Sequence, residues 1–216
     1  MPPCAERTRD DLDDAWRALR RSGELTLREV ACVGVPQTLF VADVVRRPHA
    51  PWITLAGEEQ PKSAAPWALL SIVRDGLLFS RFAYRIWPRV TGSDEAPQRG
   101  SPQFRAIATA NRDRRFMLGI ELCQGEGDAF VCECDGTAQA DGTAAAVTVA
   151  LAALGFEANG KQRVPSTPSL LPRRTTDRTL RLAVPRSAAW NDCITMHRVA
   201  VSVVLAYMER SQAKRT

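Results

Sequence analysis

Apolar positions recur at helical spacing near both ends of the chain and at strand-like spacing between them. In residues 9–21, Leu12, Trp16 and Leu19 fall three and four apart, which predicts a helix. Asp11, Asp13 and Asp14 sit near its start and Arg17, Arg20 and Arg21 near its end, matching the helix dipole. Ser22-Gly23 stops it, so this helix is expected to dock through Trp16. Strand signals follow. "EVACVGV" and "TLFVADVV" flank Pro36 and are rich in β-branched residues. "WITLAG" comes after "RRPHAP", then "WALLSIVRDG" and "LLFSRFAYRIW", read as two strands with a hairpin signal at Asp75-Gly76. Within 79–86, Phe79, Arg81, Ala83 and Arg85 share one face, and Ser80, Phe82, Tyr84 and Ile86 the other. Residues 91–103 read as a polar loop, and "RRFMLGIEL" pairs with "DAFVCEC" across the glycines of "CQGEGD". "TAAAVTVALAAL" is too long and alanine-rich for a strand. It reads as a helix capped by Thr143 or Asp141 and ended by Gly155, with Ala146, Val149, Ala150 and Ala153 turned inward.

Six or seven antiparallel strands followed by a helix predict an α+β fold. The expected form is a pleckstrin-homology-like antiparallel β-barrel or sandwich of about seven strands, capped by a C-terminal helix and carrying an extra terminal helix. Three segments result: an N-terminal helical extension (1–28), the barrel domain (29–160) and a tail (161–216). In the tail "TLRLAV" alternates Leu180, Leu182 and Val184 on one side with Arg181 on the other. Residues 188–210 read as an amphipathic helix with Trp190, Ile194, His197, Val201, Leu205 and Met208 along one side.

Charge sharpens this division. The 216 residues carry a net charge of +5, but residues 161–216 hold 11 Lys/Arg against 3 Asp/Glu and the first 160 hold 18 against 21. A basic tail on a mildly acidic body can engage nucleic acid, anionic lipid or an acidic surface. A nucleic-acid- or acidic-surface-binding protein is therefore one reading, and its binding would weaken steeply with salt. The chain lacks a membrane-length apolar run and an apolar signal core near its start, so a cytoplasmic protein is expected.

Candidate chemistry is sparse. Asp135-Gly136-Thr137 after an apolar strand resembles the opening of an aspartate phosphatase, but Glu133 stands where the first aspartate belongs and no α/β alternation follows. Between Asp135 and Asp141 only glycine, threonine, alanine and glutamine occur, unlike the alternating oxygen ligands of a calcium loop. The six cysteines are scattered, without Cys-x-x-Cys, beside only two histidines, His49 and His197. Four closely paired nitrogen or sulfur ligands are not to be found, so neither a metal nor a cofactor is expected. Cys132 and Cys134 should be packing residues on one strand face. No catalytic constellation stands out, and the expectation is a protein that is not an enzyme.

Several landmarks fall in one family's order. They are "EVACVGVPQTLFVADVV", "PWALLSIVRDG", "VTGSDEAP", "DRRFMLGIEL", "DAFVCEC", "ADGTAAAVTVAL" and "DRTLRLAV". Together, over roughly 29–184, they resemble the NECAP family of adaptin-ear-binding coat-associated proteins. That resemblance implies a pleckstrin-homology-like module of clathrin-mediated endocytosis at coated pits and vesicles. Such a module binds phenylalanine- and aspartate-containing peptides of endocytic accessory proteins and engages the plasma-membrane clathrin adaptor complex. Arg112, Arg114 and Arg115 are then candidates for acidic peptide positions, and Trp67 and Phe116 for the aromatic anchor. Leu180, Arg181 and Leu182 are candidates for a partner-binding surface in the tail. The family's basic residue before Ala-Phe is Asp128 here, and its ear-binding tail motif is missing.

Overall fold

The computed structural model describes residues 8–23, 25–36, 38–60, 63–91, 101–134, 138–162, 169–172 and 176–213, with backbone alone at 138–141 and 162. Cys4, most of the 91–103 loop, Asp135 and the side chain of Asp141 lie outside the described residues. In chain order the elements are α1 (Arg9–Arg21), β1 (Thr26–Ala31), β2 (Thr38–Val44), β3 (Trp52–Glu59), α2 (Ala65–Arg74), β4 (Ala83–Thr91) and α3 (Pro102–Ala110). Then come β5 (Phe116–Gln124), β6 (Phe130–Cys134), α4 (Ala138–Ala152), β7 (Ala158–Gln162), β8 (Thr179–Val184) and α5 (Trp190–Ala213).

The strands form one eight-stranded sheet in the order β1-β2-β4-β3-β5-β8-β6-β7. β4, β3, β5 and β8 run parallel at its centre. β1 and β2 form an antiparallel hairpin joined antiparallel to β4. β6 is antiparallel to β8 and parallel to β7. Helices α1, α2, α4 and α5 cover one face around Ile53, Leu55, Ile86, Leu122 and Leu182. On the other face α3 and residues 170–171 pack over Val41, Ala56, Trp87 and Cys123.

This overturns the expected barrel. Strands β3, β4 and β5 are buried along nearly their whole length, as central parallel strands covered on both faces must be. The run 65–74, expected to be a strand, is α2. It is buried almost all round, so no amphipathic period survives to mark it as a helix. The local signals that do mark it are Pro66 in the first turn and Gly76 at φ 67 just past its end. The 75–76 hairpin is therefore a helix exit. α3 begins inside the expected polar loop, with Ser101 accepting a hydrogen bond from the Phe104 N–H as N-cap. β5 and β6 do not pair, because β8 lies between them.

Helix α1 has the expected bounds, a Thr8/Asp11 capping box and buried Leu12 and Trp16. Helix α4 begins earlier than expected and is rotated: Ala144, Val147 and Leu151 are buried, whereas Val149 is 69% exposed. Cys132 and Cys134 are buried on β6 and form no disulfide. The segment read as a tail supplies a central strand, with Leu180 and Leu182 in the core.

One glycine is dictated by close approach. A Cβ on Gly57 would lie 2.7 Å from the Pro88 carbonyl oxygen and 3.2 Å from the Pro66 nitrogen, where the β3–β4 register slips between Ala56 and Glu58. Both neighbours are backbone and cannot rotate away. Gly57→Ala should therefore destabilise the fold by about 1–3 kcal/mol, read from the urea midpoint. A midpoint indistinguishable from wild type would show that β3 and β4 separate freely here.

Candidate functional site

Strand β3 leads through α2 to β4 on one side, and α3 then carries the chain across the opposite face to β5 on the other. Such a reversal of winding opens a crevice outside the carboxyl ends of the parallel strands, the usual ligand position in open α/β sheets. The strand ends here carry Glu58, Glu59, Arg89, Thr91, Cys123 and Gln124.

Glu58 is 6% exposed. Its Oε2 accepts a hydrogen bond from the Gln124 backbone N–H at 2.9 Å, and its Oε1 accepts one from Gln60 Nε2 at 3.0 Å. Burial pushes its carboxyl above the ordinary glutamate range, against the opposing pull of the Gln124 N–H, the Arg181 charge and Gln60. Arg181 projects from β8 on the same sheet side, opposite Glu121 and Glu133 in register. Its side chain is 19% exposed, with Nη1 3.7 Å from Glu133 Oε2. That separation is an ion pair too long for a hydrogen bond, which is why Glu133 Oε2 has no hydrogen-bond partner among the described residues. Lys161 Nζ lies 3.0 Å from the other oxygen of Glu133. Burial works against the Arg181 charge, but Cys123, Glu133 and Glu58 outweigh it and its pKa rises. Burial drives the Cys123 thiol upward, so it is protonated and inert near neutrality. Glu121, fully buried, accepts hydrogen bonds from Ser169 Oγ and the Leu171 N–H and ties the 169–172 segment to the sheet.

The next residue, Glu59, meets α1. Arg89 donates from Nη1 to Glu59 at 3.2 Å and from Nη2 to Asp13 at 3.0 Å. Arg9 Nε lies 3.7 Å from Glu59. Burial lowers the Arg89 pKa and raises that of Asp13. β3 thus ends between two charged clusters, one on each sheet face.

The residues singled out in the sequence lie elsewhere. Arg112, Arg114 and Arg115 are exposed in the turn before β5, at the amino end of the parallel strands. Arg114 stacks over Trp52 at 4.7 Å, and Arg115 pairs with Asp177 at 2.8 Å. Phe116 is fully buried, edge-on to Trp52, while Trp67 packs on the other sheet face with α2. The two aromatics do not share a site. Leu180 and Leu182 face the four-helix side, and Arg181 the opposite one. Glu58, Gln60, Arg89 and Glu121 went unnoticed. The signal that could have found Glu58 is the strand "WITLAG" ending in Glu-Glu before a helix, legible only once 65–74 is read as helical.

No protein-family model matches the sequence, and no curated protein matches it. Solved structures do match. A metallo-carboxypeptidase of Burkholderia cenocepacia superposes with a TM-score of 0.71 at 10% identity, over 94% of this chain and 70% of that one. A metallo-carboxypeptidase of Pseudomonas aeruginosa, solved with (2-guanidinoethylmercapto)succinic acid, gives 0.67 at 11% identity over 94% and 69%. The LapA aminopeptidase of Legionella pneumophila gives 0.62 at 7% identity over 92% and 63%. The chain shares its fold with these solved peptidases. The NECAP resemblance is overturned by these matches, and with it the endocytic adaptor function and its coated-pit setting. The expectation of a non-enzymatic module falls with the fold it was built on, because the matching solved proteins are peptidases. Among the described residues of the basic segment, Lys161 and Arg181 are paired within the sheet. Among the described residues no helix is long and apolar enough to cross a membrane.

The metal implied by the names of these proteins does not fit the residues described. No group of three or more His, Cys, Asp or Glu side chains is placed to hold an ion among them. His49 is exposed in the turn before β3, at the wrong end of the strands. His197 is fully buried in α5, on the four-helix face. At the strand ends the donors are carboxylates already balanced by Arg181 and Lys161, plus a protonated thiol.

Proposed function

We propose that this chain acts on peptide or related amide bonds in the crevice at the carboxyl end of β3, with Glu58 as its acid–base group and without a resident metal. The observation that carries this reading is the state of Glu58: a buried carboxylate with raised proton affinity, held by two donors at the switch point of the sheet. Perturbed carboxylates in such positions are candidates for acid–base work. The fold it shares with solved carboxypeptidases and an aminopeptidase supports the substrate class.

In this scheme Glu58 takes a proton from water while the oxygen adds to the carbonyl carbon. Positive charge from Arg181 steadies the developing oxyanion. The C–N bond then breaks, and Glu58 returns the proton to the leaving amine. The test is peptide cleavage followed by mass spectrometry, with and without a chelator. Chelator-insensitive cleavage that falls at least ~100-fold in Glu58→Gln is expected. Since only the ionised carboxylate can accept the proton, the acid limb of the rate profile should lie above the ordinary glutamate range. Absence of cleavage, or cleavage abolished by chelation, overturns the proposal.

A further inference from the structure

The second cluster borders a cavity of about 590 Å³ between α1 and the β1–β2 hairpin, within the size range of small-molecule sites. Arg9, Asp13 and Arg17 fall at positions i, i+4 and i+8 of α1 and therefore share one helix face. Asp13 accepts a hydrogen bond from the buried Arg89, and both line the cavity. The two arginines beside it, Arg9 and Arg17, are each about half exposed and line the cavity; Arg9 reaches Glu59 through Nε at 3.7 Å and Arg17 donates through Nη1 to Asp14 at 3.0 Å. Arg17 stacks over the Phe40 ring at 5.4 Å, so a guanidinium and an aromatic surface stand side by side. Val35 and Pro36 extend the apolar wall, and Glu29 supplies a carboxylate from β1. Glu29 pairs with Phe40 through the β1–β2 ladder, and its exposed side chain has no hydrogen-bond or ion-pair partner among the described residues.

The chemistry of this lining selects a dipolar ligand. A lone anion would leave Glu29 opposed to it, and a lone cation would face Arg9 and Arg17. An apolar group carrying both charges satisfies each wall. We propose that this cavity binds a free α-amino acid with an apolar side chain. Its carboxylate meets Arg9 and Arg17, its ammonium meets Glu29, and its side chain lies on Phe40, Val35 and Pro36. Nothing in this assignment uses Glu58.

The experiment is calorimetric titration of the full chain with L-phenylalanine, phenylalaninamide and N-acetylphenylalanine. Saturable binding of L-phenylalanine is expected, with each analogue at least tenfold weaker, as for the loss of one charge-assisted contact. Arg17→Gln should weaken L-phenylalanine about tenfold while leaving phenylalaninamide unchanged. Glu29→Gln should weaken L-phenylalanine but not N-acetylphenylalanine. Both substitutions are on the surface, and matching thermal unfolding with wild type checks that the variants are folded. Failure to saturate, equal binding of parent and analogues, or indifference to both substitutions overturns the assignment. Titration measures no turnover, so its outcome is independent of the cleavage proposed for Glu58.

Discussion

Replacing Arg85 with methionine should cost about 3–5 kcal/mol of folding stability, the largest loss expected from any single change described here. The Arg85 side chain is 2% exposed and clasps Asp43 through two bonds, Nε to Oδ1 at 2.8 Å and Nη2 to Oδ2 at 3.0 Å. It also donates to the Ala110 carbonyl at the end of α3 and to Asp113. Trp52 and Phe116 lie against its guanidinium at 5.6 and 6.0 Å. Burial opposes the charge, but the hydrogen bonds and charge of Asp43, helped by Asp113, outweigh it and raise the pKa. The single substitution takes both Arg85 bonds from a largely buried carboxylate, leaving it only the half-exposed Arg28 at 3.0 Å, and unties α3 from the sheet. Arg85→Met with Asp43→Leu removes both charges, and should recover much of the loss. Urea unfolding of the two variants decides the matter. A single variant within about 1 kcal/mol of wild type, the range of an exposed ion pair, would show that the clasp is solvated.

Acid should unfold this protein through His197. The imidazole is fully buried, and neither ring nitrogen has a hydrogen-bond partner among the described residues. Burial lowers its pKa from 6.5 to about 3. Between those values the unfolded chain binds a proton that the folded chain refuses. The stability from this site is therefore complete above pH 6.5 and is lost as pH falls toward 3, at up to about 1.4 kcal/mol per pH unit. By pH 5 the loss from this group is about 2 kcal/mol. His197→Leu removes the titration and the unsatisfied nitrogens together. It should flatten the stability profile between pH 6.5 and 4 and raise stability at pH 7 by about 1–3 kcal/mol. Equal slopes in variant and wild type would assign the acid limb to other groups.

The elements whose pattern is local could be read directly from the residues. Helix α1 was legible from Leu12 and Trp16 and its end charges, because one of its faces meets solvent. In α5, Trp190, Ile194, Val201, Leu205 and Met208 pack into the core, and His197 is buried with them. β8 was legible from the alternation of Leu180, Leu182 and Val184 with Arg181, and β6 from the same-face placement of Cys132 and Cys134. Tertiary structure decided the rest. α2 is buried between α1, α5 and the sheet, so its residues read as an unbroken apolar run compatible with either a strand or a helix. That ambiguity turned a βαβ crossover into an apparent hairpin, and a parallel sheet into an apparent barrel. β8 pairs with β5 and β6 from about fifty to sixty residues away, which no local period can announce. The charged clusters follow from it. Arg181 balances Glu133 and Glu58 only because register sets β8 beside β5 and β6, and Arg89 meets Asp13 only because α1 packs across the end of β4. A buried ion pair is a property of two strands or helices brought together, and its partners carry no mark in their own sequence neighbourhoods.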